Sequence, residues 1–118
     1  MTVAHDCGLI INPMTLRLVI EGNIMQGLSR ALFEEVQFDK RRVTSVDWET
    51  YNIASLKDAP GAIDIVMLKR PDQPPGGAGE PSLIPVPAVI GNAIYNATGV
   101  RMRRYPFVPA RVKKALAV

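Results

Sequence analysis

The spacing of apolar positions changes along the chain, and each change marks an element. Residues 2–6 are a short β-prone run closed by Cys7-Gly8. Asn12-Pro13 then signals a helix start, because Asn caps and Pro fits the first helical turn. From there to about Val36, Ile20, Ile24, Leu28, Leu32 and Val36 recur every four residues, with Met25 and Ala31 beside them, which predicts a long amphipathic helix. Gly22 and Gly27 weaken that helix intrinsically, so their expected use is close approach of another group to the backbone. Residues 38–42 read as a polar turn, and Val43 to Ile53 as a strand or extended segment. After a loop at 57–61, Ile63, Ile65 and Met67 alternate with Asp64, Val66 and Leu68, predicting a strand with both faces partly covered. Pro71 to Gly79 is a Pro/Gly loop. Val86, Val89, Ile90, Ala93, Ile94 and Ala97 form a second helical stripe, started by Pro85 and Pro87 and stopped by Gly99. Residues 101–107 leave as an irregular basic segment, and 109–117 fit a short terminal helix. The pattern predicts an α+β fold, a small mixed sheet with two long helices, in one unit over residues 1–118.

Composition adds limits. The chain has 118 residues and 47% hydrophobic side chains, enough for one small core. A unit this small buries a modest share of its surface, so dependence on a partner or a larger parent chain is expected. Charge is uneven within the net +3: Arg101, Arg103, Arg104, Arg111, Lys113 and Lys114 crowd the last residues with no acid among them. Without interleaved aromatics or a recognition module, that end predicts a solvated terminus or a surface docking on another domain, and no nucleic-acid partner. The single cysteine excludes an internal disulfide. No apolar run reaches the roughly 18 residues of a membrane span. No targeting signal is visible, which leaves the compartment unknown. The abrupt opening in β-prone residues predicts a fragment or one part of a split subunit.

The strongest chemical feature is Pro74-Pro75-Gly76-Gly77-Ala78-Gly79-Glu80-Pro81. A glycine-rich loop before a helix exposes backbone N–H groups and lets a large anionic ligand come close. It lacks the Lys-Ser/Thr of a P-loop and the glycine spacing of a dinucleotide fold. Glu80, where loop and helix are expected to meet, has two readings. One is an acid held by the helix dipole; the other is a general base on a stiff backbone. Gln26 also has two, an exposed helical amide or a side chain reaching a cofactor across the Gly27 gap. His5, Asp6 and Cys7 are adjacent, but neighbouring strand residues face opposite ways and no second His exists, so no zinc site is expected. His5 and Asp6 read as structural, Cys7 as a small buried residue, and Trp48 and Tyr51 as packing residues.

Several runs appear in a familiar order: Asp6-Cys7-Gly8 with Asn12-Pro13, Glu21-Gly22 with Gly27-Leu28-Ser29, Gly76 to Pro81, and Asn92-Ala93-Ile94 with Ala97-Thr98-Gly99 and Arg101. Over roughly residues 3–107 the chain resembles the C-terminal end of the molybdopterin-binding subunit of the xanthine dehydrogenase and aldehyde oxidase family, with the isoquinoline 1-oxidoreductase beta chain among its nearest-looking members. It departs at Val19-Ile20, where the family carries Gln-x before Glu-Gly, and at Met14, where Asp is frequent. The resemblance implies a molybdenum-dependent oxidoreductase that hydroxylates an aldehyde or an N-heteroaromatic substrate with water as oxygen source. It implies Glu80 as the base, and Gly76, Gly77, Ala78, Gly79 and Gln26 beside a molybdenum–molybdopterin cofactor in its cytosine dinucleotide form. It also implies two partners, the rest of the subunit and an iron–sulfur subunit, because one cysteine cannot hold a cluster. The alternative function is a non-catalytic remnant or assembly domain without cofactor.

Overall fold

A computed structural model describes residues 1–117. The order is β1 (Thr2–His5), α1 (Pro13–Leu32), a 3₁₀ turn (Leu56–Asp58), β2 (Asp64–Met67), α2 (Val86–Thr98) and α3 (Pro109–Leu116). Strands β1 and β2 pair in parallel, with Thr2 opposite Asp64 and His5 opposite Met67. A parallel pair needs a long crossover, and α1 supplies it.

Helix α1 begins as its residues predict. Asn12 Oδ1 accepts from Thr15 N at 3.0 Å, with Pro13 in the first turn. It ends at Leu32, four residues before the expected Val36, where the N–H groups of Phe33 and Glu34 both turn back to Ser29 O. Its inner stripe forms the core: Leu16, Ile20, Ile24 and Leu28 pack with Val86 of α2, and Ile20 is 0% exposed. The helices meet at Gly27. A Cβ there would sit 2.7 Å from Val86 Cβ, so α2 itself is the close neighbour that Gly27 admits, and it fills the gap across which Gln26 could have reached a cofactor. Around Gly22 there is open space. Helix α2 closes on Gly99 in the left-handed region at φ 74°, as its sequence requires.

Three expectations fail. Residues 43–53 form no strand; among the described residues, their one ladder contact is the isolated Phe38–Val43 bridge. The segment instead closes on itself, with Thr50 N and Oγ1 donating to Asp47 Oδ1 at 2.9 and 2.7 Å. Local carboxylate turns of this kind compete with sheet pairing. Trp48 is consequently 78% exposed and is not a packing residue here, although Tyr51 is half-buried and donates its hydroxyl to Glu34 at 2.9 Å. Strand β2 is covered on one face only, since Val66 and Leu68 are exposed.

The basic end is partly tied into the fold, although Arg103, Lys113 and Lys114 stay exposed. Phe107 N donates to Ala31 O at 2.7 Å, and the Arg104 and Arg111 guanidiniums converge on Glu35 at 3.1 and 3.0 Å. Those contacts, Arg111 first, hold the Glu35 carboxyl below the usual glutamate range. Arg101 caps the Tyr95 ring at 4.0 Å from its centroid. The radius of gyration is 17.1 Å, against roughly 13–14 Å for a compact unit of this length. Among the described residues no helix is long and apolar enough to cross a membrane.

Candidate active site

The glycine-rich loop is built against the turn that follows β1. Gly8 adopts φ 70°, and a Cβ there would collide with the Pro74 carbonyl, so only glycine fits. Leu9 N donates to Gln73 O at 3.1 Å and Gly76 N to Cys7 O at 2.7 Å, zipping the two segments together. Between them and the start of α1 lies an open groove of about 280 Å³. Its walls are apolar, from Leu9, Ile10, Leu16 and Val19, and its rim is the loop itself at Gly76, Ala78 and Gly79. Cys7 is half-buried and forms part of the wall.

The loop leaves donors open. Among the described residues no acceptor takes the N–H of Gly77, Ala78 or Gly79. A Cβ built on Gly77 or Gly79 would meet nothing within 4 Å. Free amides over an open groove suit a ligand with anionic or carbonyl edges.

Glu80 follows directly. Its side chain is exposed, and no hydrogen bond or ion pair engages its carboxylate among the described residues. It does not sit at the helix N-terminus as expected. Leu83 N donates to Glu80 O and Val86 N to Leu83 O, so two successive turns separate Glu80 from α2, whose first turn carries no acid. The helix dipole falls off within one turn, which removes that reading of Glu80.

Two polar side chains flank this turn. Asn23 Nδ2, from α1, donates to Gly79 O at 2.7 Å. His5 Nδ1 and Ser82 Oγ share a hydrogen bond of 3.0 Å. Asn23, His5 and Ser82 are all buried. Sequence reasoning placed no role on Asn23 or Ser82. A mid-helix Asn is a poor helix former and was the one available signal; Ser82 offers none. Asp6 is structural as expected: it faces outward, accepts from Gly8 N at 3.0 Å and pairs with Arg70 at 3.4 Å. Gln26 is exposed on α1 and does not line the groove.

Known proteins share this fold. Residues 1–60 match the family model described as molybdopterin cofactor-binding domain. The chain is 42% identical over 116 residues to a nicotinate dehydrogenase subunit of Pseudomonas putida, covering 98% of this chain and 10% of that protein. It is 33% identical over 107 residues to the isoquinoline 1-oxidoreductase beta chain of Brevundimonas diminuta, covering 91% of this chain and 13% of the relative. Quinoline 2-oxidoreductase from Pseudomonas putida 86 superimposes with a TM-score of 0.87 at 29% identity, over 98% of this chain and 16% of that one. The chain thus spans between about a tenth and a sixth of the length of these proteins. With the family model matching half of its residues, the chain belongs to the molybdopterin cofactor-binding domain family, as part of the molybdopterin-binding subunit of xanthine dehydrogenase-type molybdenum oxidoreductases.

Proposed function

We propose that this chain is the C-terminal part of a molybdenum hydroxylase subunit and that it delivers Glu80 as the general base for hydroxylating an aldehyde or an N-heteroaromatic carbon, with water as the source of oxygen. The observation that carries the reading is Glu80 itself: an exposed, unpaired carboxylate at the end of a loop whose amides are open. With no partner in the fold, both carboxylate oxygens are left free to meet a substrate-side proton, the geometry a general base needs. The residues fit the cofactor. Gly76, Gly77, Ala78 and Gly79 would lie along it, the free N–H groups of Gly77, Ala78 and Gly79 donating to its polar edge. Gln26, exposed on α1 and outside the groove, is not part of this contact. The apolar groove walls would shield one side of a bound group from water beside the loop. When bound, a molybdenum–molybdopterin cofactor in its cytosine dinucleotide form would supply the two-electron redox chemistry that no side chain here can perform.

Two partners belong to the proposal. Ile11, just before α1, and Met14 and Leu18 in its first two turns are exposed. Large apolar side chains exposed in one short stretch are expected to pack on the remainder of the molybdopterin subunit. Met14, which stands where the family often carries Asp, suits such an apolar contact. Electrons would leave to iron–sulfur clusters on another chain, since the single cysteine here cannot ligate one.

The test is Glu80→Gln in the assembled, molybdenum-loaded enzyme. Turnover is expected to fall by about 10²-fold or more, the ordinary worth of a general base, with molybdenum content unchanged. A variant turning over at the parent rate would remove Glu80 from the mechanism.

A further inference from the structure

The backbone around Glu80 is tied to two different elements, one on each side. On the N-terminal side, Asn23 Nδ2 of α1 holds Gly79 O at 2.7 Å. On the C-terminal side, Ser82 Oγ is bonded at 3.0 Å to His5 Nδ1, the last residue of β1. Between these ties, Pro81 fixes its own φ, and Leu83 N closes a turn on Glu80 O at 3.0 Å. The tied side chains are almost wholly enclosed, with Asn23 7%, His5 5% and Ser82 4% exposed, while Glu80 between them is exposed.

Neither His5 nor Asn23 is what packing alone would select. His5 Nε2 is buried with no partner, and a buried polar atom without a hydrogen bond costs stability. An apolar strand residue would fill the site without that cost. Asn in the middle of α1 is likewise a weaker helix former than Leu, Gln or Ala. In both cases the hydrogen bond to the Glu80 segment is the feature an apolar replacement would lose. Resting on the assignment of Glu80 as base, we infer that Asn23 and the His5–Ser82 pair are positioning residues: a two-point clamp that sets where the Glu80 carboxylate stands relative to the groove. A base on an otherwise glycine-rich loop needs such a clamp, because a displacement of about 1 Å costs up to roughly a hundredfold in rate.

The experiment compares His5→Gln, His5→Asn, Ser82→Ala and Asn23→Ala in the assembled, molybdenum-loaded enzyme. Asn places its amide at the reach of Nδ1, whereas Gln places it at that of Nε2. The clamp predicts that His5→Gln, Ser82→Ala and Asn23→Ala each lower kcat by about tenfold or more, with KM and molybdenum content unchanged. His5→Asn is predicted to restore kcat to within about threefold of the parent by rebuilding the bond to Ser82. Backbone amide exchange over residues 78–83 should accelerate in the first three variants and not in His5→Asn. Should His5→Gln disturb assembly, Ser82→Ala, which removes only a hydroxyl, carries the test. Parent-level kcat in Ser82→Ala and Asn23→Ala, with Glu80→Gln inactive, overturns the clamp and leaves the base assignment standing. Equal losses in His5→Asn and His5→Gln also overturn it. If Glu80→Gln proves active, the base assignment fails on its own; amide exchange then decides the clamp, faster exchange sustaining it and unchanged exchange refuting it.

Discussion

The glycine loop and the segment from Val36 to Leu56 are both irregular stretches, and they are held in opposite ways. The loop is tied by bonds that span the chain: 56 residues separate Asn23 from Gly79, and 77 separate His5 from Ser82. The 36–56 segment is satisfied mainly by its own neighbours. Asp39 accepts from the N–H groups of Arg41 and Arg42 at 2.6 and 2.9 Å, and Asp47 caps Thr50. Among the described residues its ties to α1 and the residues just after it are few: Ala54 donates to Ser29 Oγ at 2.8 Å, Tyr51 to Glu34, and Gln37 to Glu35 at 3.3 Å. Local turns leave apolar side chains with nothing to cover them, and Phe38, Val46, Trp48 and Leu56 are exposed. Long-range bonds to buried groups place a backbone within the fold; short-range ones shape it without placing it.

That contrast can be broken in several ways. The largest expected effect is on turnover: Glu80→Gln should lose about 10²-fold or more in the assembled enzyme, yet move the chain's urea midpoint hardly at all, because its exposed carboxylate holds nothing. Next, Ile20→Ala empties the site of a large side chain that is 0% exposed and should cost about 2–5 kcal/mol in urea unfolding. A loss below about 1 kcal/mol would mean that the core is not centred on α1. Gly27→Ala comes third, at about 1–3 kcal/mol, because the new methyl meets Val86 Cβ at 2.7 Å and Leu83 O at 3.1 Å. Acid should act more gently still. Arg111 and Arg104 hold the Glu35 carboxyl below its ordinary range, so the folded pKa lies below the unfolded one. The contribution is complete above the ordinary glutamate pKa of about 4.3 and is lost as pH falls through the folded value. Amide exchange at Phe107, which bonds Ala31 O, should therefore quicken on acidification, and Glu35→Gln should make it insensitive to this change. The smallest effect belongs to the open segment: Trp48→Ser should shift the chain's stability by less than about 0.5 kcal/mol. A loss rivalling that of Ile20→Ala would show that 36–56 is held as firmly as the loop.

Much of the fold was legible because it rests on local rules. Asn12 and Pro13 start α1, the four-residue apolar spacing aims Ile20, Ile24 and Leu28 inward, and Gly99 ends α2; each is decided within a turn or two of chain. The β-prone run at 43–53 misled because propensity for a strand does not supply a partner, and Asp47 offered a nearer one. The reading of Trp48 as a packing residue failed with it. Gly27 admits a close neighbour, as a glycine inside a helix suggests, and only the packing of α2 decides that the neighbour is Val86.

By itself the sequence determined the two strands and the three helices that form, the open glycine loop and the presence of a carboxylate at its end, because backbone freedom and helix periodicity act over a few residues. Only the tertiary structure decided that Glu80 stands clear of the α2 N-terminus, that the loop rims an apolar groove, and that Asn23, His5 and Ser82 grip the chain on both sides of it. Hydrogen bonds between residues 56 and 77 positions apart exist only once α1 and β1 have packed, and no local pattern specifies them.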